Sequence, residues 1–230
     1  MADRPYTLLS CSMSLDGYLD SSTVKRLALS NDADLDRVDA VRAGCDAILV
    51  GANTLRNDDP RLLVKSAARR EERLARGLTA SPVKVTLTRS GKVDGDAQFF
   101  LTGEGDKLVY CPRSAAPDLR QRLGSRATVV DTGRDVDVKR VSEDLLARGV
   151  NRLMVEGGSM VNTQFLTAEL ADELDLVVAP FFVGDPLARR FVDEGRFPWS
   201  AQRRLTLAEV RQIGDVVLLR YALSARFGNV

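Results

Sequence analysis

The spacing of hydrophobic and polar positions changes several times along the chain, and each change marks an element. Alternation from Tyr6 to Cys11 predicts a strand, closed by the turn signal Ser14-Leu15-Asp16-Gly17. Residues 20 to 30 are polar and irregular. Ser30 or Asn31 can cap a helix running to about Ala43, with Asp32 and Asp34 in its first turn and Leu35, Val38 and Val41 as its apolar stripe. Asp46 to Val50 reads as a short buried strand. Gly51 to Leu55 begins a loop or short helix that Asp58-Asp59-Pro60 stops. Residues 66 to 76 have helical propensity and mixed charge. Because Glu71 and Glu72 interrupt the positive field, this segment is expected to be a solvated helix or mobile excursion rather than a basic patch.

Strand and helix patterns then alternate. Strands are predicted at Val83 to Thr88, Lys107 to Cys111, Ala127 to Asp131, Arg152 to Val155 and Asp175 to Ala179. Helices are predicted at Ala115 to Leu123, Val138 to Arg148 and Met160 to Leu170, with a Ser90-Gly91 turn after the first of these strands. Leu205 to Ile213, Gly214-Asp215 and Val216 to Leu223 read as a terminal β-hairpin. Strands separated by helices pair in parallel, and a final hairpin supplies an antiparallel edge. The expected fold is α/β: a single domain over residues 1–230, with a mixed, mostly parallel central sheet flanked by helices and a C-terminal antiparallel hairpin.

Composition narrows the chemistry. The 230 residues carry 33 Lys+Arg against 32 Asp+Glu, a net charge of +1, which argues against an electrostatic grip on nucleic acid or an anionic membrane. The chain has no histidine, so Ser-His-Asp and Cys-His nucleophile systems and His-bearing zinc sites are excluded. Cys11, Cys45 and Cys111 are scattered, with no C-x-x-C, and fit buried thiols of a reducing compartment better than a metal or redox site. The N-terminus lacks the apolar run of a signal peptide. No stretch approaches the roughly 20 apolar residues of a membrane span. A cytoplasmic protein is expected.

Three places can carry chemistry. Arg152 to Ser159 is a strand entering Gly157-Gly158 and then a helix. Two glycines allow close backbone approach, and the helix start offers unpaired N–H groups and a positive dipole end, which suits a phosphate; a plain tight turn would use the same glycines. Glu156 stands at the carboxyl end of that strand, where ligands collect in open α/β sheets. In the second place, Thr54 and Asp58 are four apart and share a helical face, able to meet ribose hydroxyls or an amide; alternatively Thr54 is an N-cap and Asp58 only ends the turn. Third, Arg42 falls on the stripe of Leu35 and Val38, so it either seeks an anionic partner inside or snorkels at the core's edge.

With these pieces in order, the chain resembles the reductase domain of riboflavin biosynthesis, a family with a dihydrofolate-reductase-like fold. The resemblance is carried by Ser14-Leu15-Asp16-Gly17, by Leu29 to Leu35 leading to Val41-Arg42, and by Asp46 to Gly51 through Thr54 to Asp58-Asp59-Pro60-Arg61-Leu62. It continues in Val155-Glu156-Gly157-Gly158, Asp172-Glu173-Leu174, Ala179-Pro180 and the Gly214-Asp215 hairpin. It implies a homodimeric, NADPH-dependent oxidoreductase that reduces the opened ribose of a phosphorylated ribosylaminopyrimidine to the ribitylamino product, with no metal. It further implies that Thr54, Asp58 and the loop Gly157, Gly158, Ser159, Met160, Val161 and Asn162 bind the dinucleotide. Backbone at Ser12 and Met13 would flank the nicotinamide, and Arg89, a departure at a position where a smaller residue can contact the cofactor, is placed to meet its 2′-phosphate. Arg42, Arg61, Leu62, Lys65 and Glu156 would face the substrate, and Ser10 and Glu156 would stand next to the reacting ribose. The chain departs from the family pattern in Ser10, where members have lysine or asparagine, in Lys65, where they have arginine, and in Arg26, at a substrate position often held by serine. These departures keep open a related reductase acting on a dihydrofolate, dihydropteridine or secondary-metabolite intermediate. A binder of the dinucleotide without turnover is disfavoured by intact Thr54, Asp58, Glu156 and Gly157-Gly158.

Overall fold

A computed structural model describes residues 3–23 and 27–228 of the chain. They divide into two compact units: one comprises Asp39–Met154 with the short lead to Pro5, the other Tyr6–Val38 and the chain from Val155 onward.

The strands of the first unit run in the order β5-β4-β3-β2-β6, being β2 (Ala47–Gly51), β3 (Val83–Leu87), β4 (Lys107–Cys111), β5 (Thr128–Asp131) and β6 (Arg152–Val155). The pairs β2–β3, β3–β4 and β4–β5 are parallel, and every residue of β2 is buried, as a near-continuous apolar run requires. Helices α2 (Ala52–Asp58), α5 (Ala116–Leu123) and α6 (Val138–Ala147) follow their strands closely. The short helix α4 (Gln98–Leu101) has no counterpart in the sequence reading, because four residues hold too little periodicity to see. Tertiary contacts create it. Phe99 and Phe100 are buried, the amide of Gln98 donates to Asp59 Oδ1 at 2.6 Å, and Lys84 Nζ donates to the carbonyls of Phe99 and Thr102 at 3.1 and 2.7 Å. Burial lowers the Lys84 ammonium to about 8.

Of the two readings of 66 to 76, the solvated helix is the one found: Ala67, Ala68, Glu71, Glu72, Leu74 and Ala75 are exposed, while one face is docked. Helix α3 (Ala67–Ala75) is capped by Ser66, whose side chain accepts from the Arg69 amide, and its arginines point inward. Arg73 is 3% exposed. Its Nε donates to the carbonyl of Thr79 at 2.9 Å, and one Nη donates to those of Ala43 and Cys45, each at 2.8 Å. Charge counting did not foresee the buried Arg73, because a guanidinium can be buried when backbone carbonyls receive its protons.

In the second unit the order is β1-β7-β9-β8: β1 (Tyr6–Ser14) is parallel to β7 (Glu173–Ala179), and β9 (Val216–Ala222) and β8 (Thr206–Ile213) add antiparallel strands, with a bulge between Leu207 and Glu209. The mostly parallel α/β fold with its terminal hairpin is therefore as expected. Helix α7 (Ser159–Thr167) follows the glycine pair. Helix α1 (Asp32–Ala43) is capped by Asn31, whose Oδ1 accepts from the Asp34 amide at 3.0 Å. Its expected apolar stripe is not what it buries. Leu35 is 45% exposed and Val38 and Val41 are half-buried, whereas Asp34 and Asp39 are buried. Polar pairing overrides the hydrophobic pattern here, because Arg37 joins Asp34 at 2.6 Å to Asp175 at 2.9 Å.

Asp175 lies among Arg37, Arg220, Glu173 and Glu209, and burial, helped by the charge of Glu173, lifts its carboxyl to about 6. The folded value is above the unfolded one, so the folded state holds the extra proton. Stability from this group is complete below about pH 4 and is lost as pH rises through about 6. The two-unit shift corresponds to about 3 kcal/mol. Asp175→Asn is expected to flatten the stability profile across that window, as read by urea unfolding at a series of pH values. An unchanged slope would show that Asp175 is not its source.

Among the described residues no helix is long and apolar enough to cross a membrane.

Candidate active site

The second unit holds one group of predicted residues. Behind β6, Glu156 is half-buried and Gly157 adopts φ 82°, where a Cβ would lie 3.1 Å from Asn162 Oδ1. Gly158 then starts α7 with no side-chain cap. The first intrahelical bond runs from the Asn162 amide to the Gly158 carbonyl at 3.0 Å, so the N–H groups of Ser159, Met160 and Val161 precede any intrahelical acceptor. This is a glycine-lined cradle at a positive helix end, the arrangement the sequence implied for phosphate. Met160 is 44% exposed beside it.

The other members of the loop hold the cradle in shape. Asn162 is fully buried; its Nδ2 donates to the Phe191 carbonyl at 3.1 Å, and its Oδ1 has no partner. Val161 is buried, and the Ser159 hydroxyl donates to the Arg190 carbonyl. Segment 181–193 in turn is fastened to the Ser14-Gly17 turn. Asp16 accepts the Val183 and Gly184 amides at 3.0 and 2.8 Å and the Ser14 hydroxyl. Burial opposes ionisation of Asp16, yet these bonds hold its carboxyl at about 2. The sequence signalled only a turn here; the carboxylate is a latch between that turn and a distant loop. Ser12 and Met13 are half-buried at the end of β1. Ser10 is 7% exposed and is paired in register with Asp175. Burial of the neighbouring Cys11 sulfur raises its thiol to about 12, so it is no nucleophile.

The first unit holds the rest. Thr54 is half-buried within α2 and Asp58 is exposed at its end. The N-cap is Gly51, so the reading of Thr54 as a cap is wrong. Arg89 is exposed just past β3. The segment from Arg61 to Ser66 is irregular but tightly held. Leu62 is buried with φ 48°, and the Val64 amide donates to the Ser81 hydroxyl at 3.0 Å. Arg42 is half-buried and donates to the Leu63 carbonyl at 3.4 Å, a neutral acceptor at the edge of the core. Arg61 and Lys65 are exposed. Arg26 lies outside the described residues.

Sequence reasoning missed Asp39. It lies three before Arg42 on α1, and its carboxylate accepts the amides of Lys65 and Ser66 and the Arg69 guanidinium at 3.0 Å. Burial opposes its ionisation, and these three donors keep the carboxyl below the usual range.

A glycine pair at a helix start, after a strand end that carries a carboxylate, is an arrangement found at the ligand-binding ends of open α/β sheets. Residues 5–219 match the RibD C-terminal domain family, and the chain belongs to that family. It is 35% identical over 222 residues to the 2,5-diamino-6-ribosylamino-4(3H)-pyrimidinone 5′-phosphate reductase of Methanothermobacter thermautotrophicus, covering 96% of this chain and 99% of that one. Its fold is similar to a pyrimidine reductase-like protein of Corynebacterium diphtheriae (TM-score 0.79, 22% identity, 95% and 91% of the two chains covered). It is also similar, more distantly, to the dihydrofolate reductase of Enterococcus faecalis (TM-score 0.51, 11% identity, 94% and 95% covered).

Proposed function

We propose that residues 1–230 act as one NADPH-dependent reductase domain, which reduces the ribose of a phosphorylated ribosylaminopyrimidine to the ribitylamino product in riboflavin biosynthesis. The carrying observation is the near-complete match, end to end, with a reductase named for that phosphorylated pyrimidinone. NADPH fits the residues present: α7 starts behind Gly158 with no side-chain cap, and the N–H groups of its first turn, which precede any intrahelical acceptor, would supply donors to a phosphate. When bound, the cofactor supplies the hydride. In this reading Ser159 to Val161 orient it through backbone donors, and Thr54 and Asp58 hold its hydroxyls. Arg89 meets the 2′-phosphate. Arg42 and Glu156 orient the pyrimidine, while Lys65 answers the substrate phosphate as a point charge. The compartment is the cytoplasm, where unpaired thiols persist and soluble pathway intermediates reach the site.

The test is loss of nicotinamide absorbance with the phosphorylated ribosylaminopyrimidine and with dihydrofolate side by side. Turnover of the first is expected, and turnover of dihydrofolate alone would overturn the reading. Lys65→Ala removes one hydrogen bond to a charged group, worth about 1.5–3 kcal/mol, so it should lower kcat/KM for the phosphorylated substrate roughly ten- to a hundredfold with little change in NADPH affinity. If the parent turned over the phosphorylated and dephosphorylated forms equally, there would be no phosphate contact to lose.

The chain is further proposed to form a homodimer. Strand β8 leaves Leu207 and Val210 50% and 59% exposed, an apolar edge of the kind proteins cover. Sedimentation showing only a monomer at micromolar concentration would exclude it.

A further inference from the structure

Helix α3 lies outside every motif that carries the resemblance, yet its arginines converge on the segment assigned to phosphate. Arg70 donates from one Nη to the carbonyls of Val64, at 3.1 Å, and of Lys65. Arg42 donates to the preceding carbonyl, that of Leu63. Two guanidinium groups thus grip three consecutive carbonyls, and Asp39 grips the two amides that follow.

The charges around Lys65 are unequally matched. Asp39 is engaged by two amides and by Arg69. Among the described residues, neither Lys65 nor Arg70 has a carboxylate within ion-pair distance, although Glu71 and Glu72 follow Arg70 directly in the chain. Arg70 is half-buried and spends only one nitrogen on the carbonyls, so Nε and the other Nη keep their protons for an anion. A guanidinium can present two parallel donors to phosphate, which an ammonium cannot.

We infer that Arg70, from α3, supplies the guanidinium of the phosphate subsite and sets the preference for a phosphorylated substrate, with Lys65 as its point-charge companion. The inference rests on the proposed reading of Lys65. It explains how the chain keeps a planar donor for phosphate although residue 65 is lysine.

The test compares kcat/KM for the phosphorylated and dephosphorylated ribosylaminopyrimidine in the parent, Lys65→Ala, Arg70→Gln and Arg70→Lys. Glutamine removes the charge and is two bonds shorter, so any loosening of the Val64 and Lys65 carbonyls is read from the dephosphorylated substrate, which needs the same segment but no phosphate contact. Arg70→Gln should lower the phosphorylated-to-dephosphorylated ratio at least tenfold, chiefly through KM. Arg70→Lys should recover part of it. An equal loss on both substrates would mark Arg70 as structural and overturn the inference. So would a preference that falls in Lys65→Ala but survives in Arg70→Gln, a result that leaves the Lys65 assignment standing. No preference in the parent would overturn both.

Discussion

Replacing Arg73 with methionine is expected to lower the melting temperature by roughly 10 °C. The side chain is 3% exposed, and its guanidinium joins the carbonyls of Ala43, Cys45 and Thr79. Methionine fills much of the volume but leaves these acceptors without protons, at about 1–3 kcal/mol for each one that water does not reach. Removing a buried charge recovers part of that, since burial already lowers the Arg73 guanidinium below its ordinary value. A net loss of about 3–5 kcal/mol remains, at about 2–4 °C per kcal/mol for a chain of this size. Arg73→Lys should fall in between, because one ammonium cannot reach all three carbonyls in the same geometry. Thermal unfolding followed by circular dichroism measures both. A shift below about 2 °C for the methionine variant would mean that α3 is not anchored through this residue.

Met160→Glu is expected to stabilise the fold slightly and to weaken NADPH binding strongly. Met160 is the second residue of α7 and is 44% exposed, so the carboxylate meets little desolvation. At that end of the helix a negative charge is favourable by about 0.3–1 kcal/mol. The same charge would stand at the helix start proposed to meet the pyrophosphate, and for like charges roughly 5 Å apart at an effective dielectric between protein surface and water the repulsion is about 2–3 kcal/mol. Affinity should fall between tens of fold and a hundredfold, measured by calorimetry, while the melting temperature stays level or rises. The opposite signs separate this result from unfolding. Unchanged affinity would remove the phosphate from α7.

Most of the strands were legible because they are short, apolar and bounded by turn residues. β4 and β6 have the very limits that the pattern implied. The glycine cradle was legible for a similar reason, since Gly157-Gly158 between a strand and a helix has few physical readings. What escaped was polar and non-local. Asp39, Arg70 and Arg73 are charged residues in charged surroundings, and nothing in their neighbours reveals that their partners are carbonyls and amides 5 to 30 positions away. Helix α1 misled for the same cause: its valines and leucine look like a core face, while the buried face belongs to Asp34 and Asp39. Periodicity reports the hydrophobic component of burial and is silent on buried ion pairs.

The segment from Val64 to Ser66 belongs to no strand or helix, yet each of its amides is held by a side chain: Val64 by Ser81, and Lys65 and Ser66 by Asp39. Deuterium uptake there should follow the opening of α1 and α3 together rather than the rapid exchange typical of an irregular loop. The same restraint makes it a poor protease substrate despite the exposed lysine, because cleavage needs an extended backbone that these bonds do not release one at a time. A tryptic map of the native protein should therefore show Lys65 cut late.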